Sequence, residues 1–148
     1  MTARGAMKRI MQAVFVGLAC PWALLCGFGH LSRVYASLAQ LFALLPGLPG
    51  EYWRAAFYRL TLGEFSLDSV VAFGTYFSRR DARVGSHVAI GSYCVIGRAR
   101  IGARTQIASH VQIPSGRSQH ARDRQGRLGN AAAEEVVIGE DCWIGASA

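Results

Sequence analysis

The stretch "VGSHVAIGSYCVIGRARIGARTQI" occupies residues 84–107, and its spacing decides how the chain is read. Val84-Gly85, Ile90-Gly91, Ile96-Gly97 and Ile101-Gly102 follow one another at steps of six, six and five, and Ile107-Ala108 comes six later. After a gap, Ile138-Gly139 and Ile144-Gly145 resume the step of six. Aliphatic-glycine pairs in phase amount to an internal repeat, and a repeat outranks other signals because missing it misassigns the whole fold.

A six-residue period suits neither a helix nor one long strand. It fits a short strand and a turn, with three such units closing a triangular coil of about eighteen residues. Each aliphatic residue then points inward and stacks on its counterpart one coil away, at roughly 4.8 Å. The following glycine sits at a corner, where close backbone approach or positive φ penalises a Cβ. A second, small inward residue is expected four positions after each aliphatic one, and Val88, Cys94, Thr105, Val111 and Cys142 stand there. Cys94 and Cys142 are thereby read as small buried hydrophobes rather than nucleophiles. "VVAFGTYFSRRDARVG" (70–85) is read as a degenerate first coil with Phe73 and Phe77 inward. The expected fold is mainly β, a left-handed parallel β-helix of hexapeptide repeats over residues 70–148, preceded by an N-terminal apolar helical segment over 1–69. Residues 114–135 interrupt the period with polar, arginine-rich sequence, which predicts a loop excursion from one corner; loops of this length are usually functional or disordered.

The N-terminal part differs in character. Residues 10–29, "IMQAVFVGLACPWALLCGFG", carry no charge, and Arg4, Lys8 and Arg9 precede them. That length can cross a bilayer. A cleaved export signal fits poorly: the apolar region is overlong, and Gly17 stands where a lipoprotein signal at Cys20 would want leucine. Two other arrangements remain open, a single spanning helix or a hairpin of apolar helices broken at Pro21 or near His30–Arg33. In "EYWRAAFYRL" (51–60) Trp53, Ala56, Phe57 and Leu60 share one helical face, with Arg54 and Arg59 off that stripe. Such a helix suits either an in-plane membrane position or a cover for the first coil of the repeat.

The 148 residues make one domain, or one domain with an appendage. The net charge of +7 comes almost wholly from arginine, Lys8 being the only lysine. Anionic partners are indicated, but the scattered arginines match no nucleic-acid-binding pattern, so nucleic acid is not expected. The four cysteines form no Cys-x-x-Cys, which argues against a zinc ribbon or a redox motif; a reducing, cytoplasmic setting fits them.

The repeats, the basic loop with His120 and the return "VVIGEDCWIGA" resemble hexapeptide-repeat acyltransferases of the galactoside and xenobiotic acetyltransferase type. "LPGLPGEYWRAAFYRLTLGEF", "FGTYFS" and "SGRSQH" further resemble membrane-associated O-acetyltransferases of exopolysaccharide and lipopolysaccharide biosynthesis. The resemblance implies an acetyl-CoA-dependent O-acetyltransferase acting on a sugar or lipid-linked saccharide. His120 would be the general base, since imidazole takes up a proton near neutral pH. It further implies an oxyanion contact from the Ala146 amide after the Trp143-Ile144-Gly145 turn, and Trp143 lining the pantetheine channel. Acetyl-CoA is the one co-substrate implied, and no metal is. Asp123 is a candidate to orient the imidazole. Arg117, Arg122, Arg124 and Arg127 would either meet phosphates or simply keep the loop soluble. His87 and His110 fall at outward positions, and His30 lies beside the apolar leader. The resemblance also implies a homotrimer with sites between subunits, held through the N-terminal region at the cytoplasmic face of the inner membrane.

The chain stops at Ala148 inside a hexapeptide, where the family continues with more coils, so a C-terminal truncation is expected. Rival readings are a small-molecule acetyltransferase, an inactive truncated scaffold, and a zinc lyase of the γ-carbonic anhydrase kind using His87, His110 and His120.

Overall fold

The computed structural model describes residues 3–115, 122, 124–127 and 134–148. Three helices come first: α1 (Ala3–Leu25), α2 (Ser32–Ala43) and α3 (Gly47–Thr61). Pro21 lies inside α1 and does not end it, so the break between the two apolar runs falls at residues 26–31, near His30. Strands of two or three residues follow: β1 (Glu64–Phe65), β2 (Val70–Val71), β3 (Tyr76–Phe77), β4 (Arg83–Val84), β5 (Ala89–Ile90), β6 (Val95–Ile96), β7 (Ala99–Ile101), β8 (Gln106–Ile107), β9 (Gln112–Ile113), β10 (Val136–Ile138) and β11 (Trp143–Ile144).

These strands form three parallel sheets, ordered β1-β4-β7-β10, β2-β5-β8-β11 and β3-β6-β9. The register stacks like on like. Phe65 pairs with Val84, Val84 with Ile101 and Ile101 with Ile138. Val71, Ile90, Ile107 and Ile144 make a second column, and Phe77, Ile96 and Ile113 a third. The columns are buried from Phe65 to Ile113, while Ile138 and Ile144 are half-buried. Val88, Cys94, Thr105 and Val111 are buried between them, whereas Cys142 is half-buried.

The expected fold class needs correction. The protein is an α/β fold of three helices and short parallel strands in three sheets, not a mainly β left-handed β-helix; helix (38%) exceeds strand (19%) among the described residues. The physical reason is twofold. Each hexapeptide spends most of its residues on its turn and leaves only two or three for ladder pairing, whereas the apolar N-terminal runs satisfy nearly all their backbone groups as continuous helix.

The corner glycines Gly85, Gly91, Gly97 and Gly102 serve close approach, not positive φ. A Cβ on Gly91 would lie 2.6 Å from the Ser109 nitrogen, and one on Gly85 2.9 Å from that of Ala103. Left-handed backbone falls instead two residues later, on His87, Tyr93, Arg104, His110 and Asp141, with φ between 54° and 63°. Asp and His tolerate that region better than most residues. Inward hydroxyls tie neighbouring turns together. Ser69 Oγ donates to the Gly85 carbonyl (2.7 Å) and accepts from the Val88 amide (2.9 Å). Thr105 Oγ1 repeats this pattern with Gly139 and Cys142, at 2.8 and 3.2 Å.

The helices cover the first coil. Phe57 and Tyr58 of α3 and Tyr35 and Phe42 of α2 are buried against one another and against Phe65 and Phe77. Tyr35 Oη donates to the Phe77 carbonyl (3.1 Å), and the Phe77 amide donates to Tyr58 Oη (3.3 Å). Burial raises both phenols above their ordinary range, so they stay neutral. Arg54 departs most from expectation. Placed on the polar side by sequence pattern, it is only 1% exposed. Its Nε donates to the Val71 carbonyl (2.8 Å), and its Nη1 to those of Leu45 (2.7 Å), Phe42 (3.2 Å) and Ala43 (3.4 Å).

Arg54→Ala would remove the donor from the Leu45 and Val71 carbonyls, while Phe42 and Ala43 keep backbone donors, and would open a cavity, with an expected loss of about 3–5 kcal/mol in chemical denaturation. Gly91→Ala should cost about 1–3 kcal/mol through backbone overlap. In the same assay Gly145→Ala should stay within about 0.5 kcal/mol of the parent, because its Cβ meets nothing within 4 Å.

Candidate functional site

The excursion after β9 leaves and rejoins the stack without disturbing it. Ile113 is in register with Ile96 on one side of the loop, and Ile138 with Ile101 on the other. Its neck is closed by the Glu134 amide donating to the Ser115 carbonyl (3.2 Å). Ser115 Oγ, in turn, accepts from the Arg98 amide (2.9 Å). Glu135, just past the neck, approaches Arg100 on β7 at 3.4 Å. The two ends of the polar segment are therefore held together on the stack, at Ser115 and Glu134.

His120, Asp123 and Arg117 lie outside the described residues. Of the remaining loop arginines, Arg122 donates from Nη1 to the Gly126 carbonyl (2.6 Å), and Arg127 from Nη2 to Gln125 Oε1. Arg122, Arg124 and Arg127 are all exposed. Arg104, at a corner of the stack, is already committed: Nε and Nη2 grip Asp141 (2.7 Å each), and Nη2 also reaches Glu140 (2.8 Å). This pairing lowers the Asp141 carboxyl below its ordinary range.

The turn expected to hold the donor follows in β11. Trp143 is 71% exposed and pairs in register with Gln106, so its ring stands free on the outer face. Gly145 and Ala146 are exposed beside it. The Ala146 amide makes no hydrogen bond among the described residues. The same holds for Ser86 and Ala103 at the equivalent turn position, so a free amide is a property of this turn and does not by itself mark Ala146.

The remaining histidines take different places. His110 stacks on Tyr93 with ring centroids 5.5 Å apart, and Tyr93 meets Phe73 edge-on. His87 stands at a different corner, one coil before Arg104, and His30 lies between α1 and α2. Among the described residues no three His, Cys, Asp or Glu side chains gather to hold a metal.

One concave feature escaped sequence reasoning. Phe15, Leu18 and Trp22 of α1 face Leu41, Phe42 and Trp53 across an open, almost wholly apolar groove. Spacing of three and four along α1 was the available signal, but its partners come from two other helices and had no sequence link to it.

No family model, curated protein or solved structure matches the chain. Thr105→Val should cost about 1–3 kcal/mol by leaving the Cys142 amide and the Gly139 carbonyl unsatisfied. Trp143→Ala should leave stability within about 0.5 kcal/mol. Thermal unfolding of the pair separates damage to the coil from any loss of ligand binding at the tryptophan.

Proposed function

We propose that the protein is an acyl-CoA-dependent O-acyltransferase that moves an acetyl group from acetyl-CoA to the hydroxyl of a sugar or lipid-linked saccharide. The observation that carries this reading is the in-register return of the hexapeptide stack after the excursion at 114–135. That arrangement anchors both ends of a segment whose sequence is basic and carries His120, and brings the chain back into the Trp143-Ile144-Gly145-Ala146 turn, where Trp143, Gly145 and Ala146 are exposed.

In this scheme His120 takes the proton from the attacking hydroxyl as the oxygen closes on the thioester carbonyl. The negative charge that gathers on the carbonyl oxygen meets the Ala146 amide, and the C–S bond then breaks to release CoA thiolate, which recovers the proton from the imidazolium. Trp143 lies along the pantetheine arm. Arg122, Arg124 and Arg127 are exposed for phosphate contacts, whereas Arg104 is excluded from that role by its carboxylates. Assembly as a homotrimer, with His120 and the donor turn supplied by different subunits, belongs to the same proposal.

Calorimetric titration with acetyl-CoA on the detergent-solubilised chain tests it. Saturable binding is expected in the parent and in His120→Ala alike, with turnover on saccharide precursors lowered about 10²–10⁴-fold in the variant. The parent's kcat/KM should rise with pH on a single ionisation in the imidazole range. Absence of binding in both proteins would leave a scaffold, and stoichiometric zinc would favour the lyase.

A further inference from the structure

The surface of α1 is inverted relative to a water-facing helix. Its buried residues are small or polar, Gln12, Ala19 and Ala23. Its large apolar residues point outward: Met7, Ile10, Val14, Leu18 and Leu25, with steps of three or four and Pro21 on the same line, are between 51 and 61% exposed. A soluble helix buries its apolar stripe and exposes its polar one. Here the small residues make the protein-facing seam and the large ones have no protein partner, the distribution expected where the outer solvent is hydrocarbon. The patch continues beyond α1 through Phe28, Leu31, Val34, Leu41, Leu44 and Leu48. Among the described residues every exposed large hydrophobic belongs to this region except Val70, Tyr93, Val137 and Trp143.

The helix is nevertheless pinned along its length. Near its start Lys8 Nζ pairs with Asp68 (2.9 Å), and Gln12 Nε2 donates to the Leu67 carbonyl (2.7 Å). In its middle Phe15 stacks on Tyr52 and meets Trp53 edge-on, and Trp22 meets Phe42. Just past its end Gly29 lies so close that a Cβ would stand 2.8 Å from the Thr61 carbonyl and 3.1 Å from Arg80 Cβ. A segment attached to the body at both ends cannot run away from it through a bilayer. By composition and length alone α1 passes for a span, but its contacts hold it against α3 and the turn at residues 67–68.

Charge identifies the surface it meets. No acidic residue occurs before Glu51. Arg4 and Arg9 are exposed in the first turns of α1, and Arg33 is exposed at the start of α2. An apolar face rimmed by cations matches a leaflet of anionic phospholipid, with acyl chains below and phosphates at the rim.

We infer that the α1–α2 face docks in plane on one leaflet of an anionic phospholipid bilayer, without crossing it, and that the groove between Phe15, Leu18, Trp22, Leu41 and Trp53 receives a lipid acyl chain. This stands on the helices alone and is independent of the acyl-transfer proposal.

The test uses the full chain diluted from mild detergent onto vesicles of phosphatidylcholine containing one quarter phosphatidylglycerol, followed by flotation. The chain should float with these vesicles, bind pure phosphatidylcholine at least about tenfold less, and be released by alkaline carbonate without detergent. Val14→Asp with Leu18→Asp should abolish flotation while the thermal midpoint holds. Should that pair unfold, Ile10→Ser with Leu25→Ser on the same stripe replaces it. Arg4→Gln with Arg9→Gln should remove only the anionic preference. Retention after carbonate would overturn the inference in favour of a spanning helix. Flotation indifferent to the stripe variants would overturn it as well. So would a discrete dimer in detergent that the aspartates dissolve, with no vesicle binding, since the stripe would then be covered by a second copy.

Discussion

One guanidinium joins the two halves of this protein. Arg54 leaves α3, passes beneath the last turn of α2 and reaches the first coil of strands at Val71. The end of a helix carries unsatisfied carbonyls and a partial negative charge, and a buried cation answers both. Four carbonyl dipoles offset the cost of taking the charge from water, although burial still lowers the arginine's pKa from its usual value. The arrangement constrains its surroundings. Gly50 must lack a side chain because the Leu45 carbonyl, itself an Arg54 acceptor, fills the space where a Cβ would stand. Tyr35 and Tyr58 then grip the two sides of the Phe77 peptide and fix a second face of the same coil. With two faces held, the register of later strands follows from pairing of like residues, each at about 1.5–3 kcal/mol for a buried Ile or Val.

The parts of the fold legible in sequence were those set by local alternation. Val84, Ile90, Ile96, Ile101, Ile107 and Ile113 lie inward and in register, because a hexapeptide writes its burial into consecutive residues. The fold class was misjudged because the repeat drew the weight away from the N-terminal segment, whose 50 or so helical residues form three packed helices and outweigh strands of two or three residues each. Arg54 was missed for a related reason. Pattern analysis sends every charge to solvent, and the carbonyls that make its burial tolerable come from Phe42, Leu45 and Val71, remote in chain position. The corner glycines were ambiguous between close approach and positive φ, and only coordinates separate the two: the positive φ sits on His87, Tyr93, Arg104 and His110. At the candidate site, the roles of Trp143, Gly145 and Ala146 came from the family resemblance alone; the repeat gave them only a place at a turn. The loop around His120 carries no repeat and so no such address.

The inverted surface of α1 shows why hydropathy alone left several membrane arrangements open. A window average counts apolar residues and is blind to which of them the protein itself covers. Ala19 and Ala23 contribute to the average as Leu18 and Leu25 do, yet the first pair is covered by the protein and the second faces outward. The two sets are separated by contacts to residues 52–53 and 67–68. Even the pin at Lys8 has a pH signature. Its hydrogen bond lowers the Asp68 carboxyl from the ordinary value, so the pair contributes fully above the unfolded carboxyl's pKa of about 3.9. That contribution fades as pH falls through the lowered folded value. Both partners are nearly half exposed, so the pair orients the helix end more than it stabilises the fold.

The helices therefore meet two different demands with one packing arrangement. Short parallel strands present an edge that would pair with other chains unless covered, and α2 and α3 bury Phe65 and Phe77 beneath Phe57 and Tyr58. That use consumes their aromatic faces. It leaves α1 as an outer layer whose inner side needs only small residues to lie close, and whose outer side is free to be apolar. A mainly water-facing cover would have placed charged residues at positions 10, 14 and 18; this chain has Ile, Val and Leu there and keeps its arginines at the margins. The same three-helix cover that closes the strand edge thus turns one broad apolar face outward.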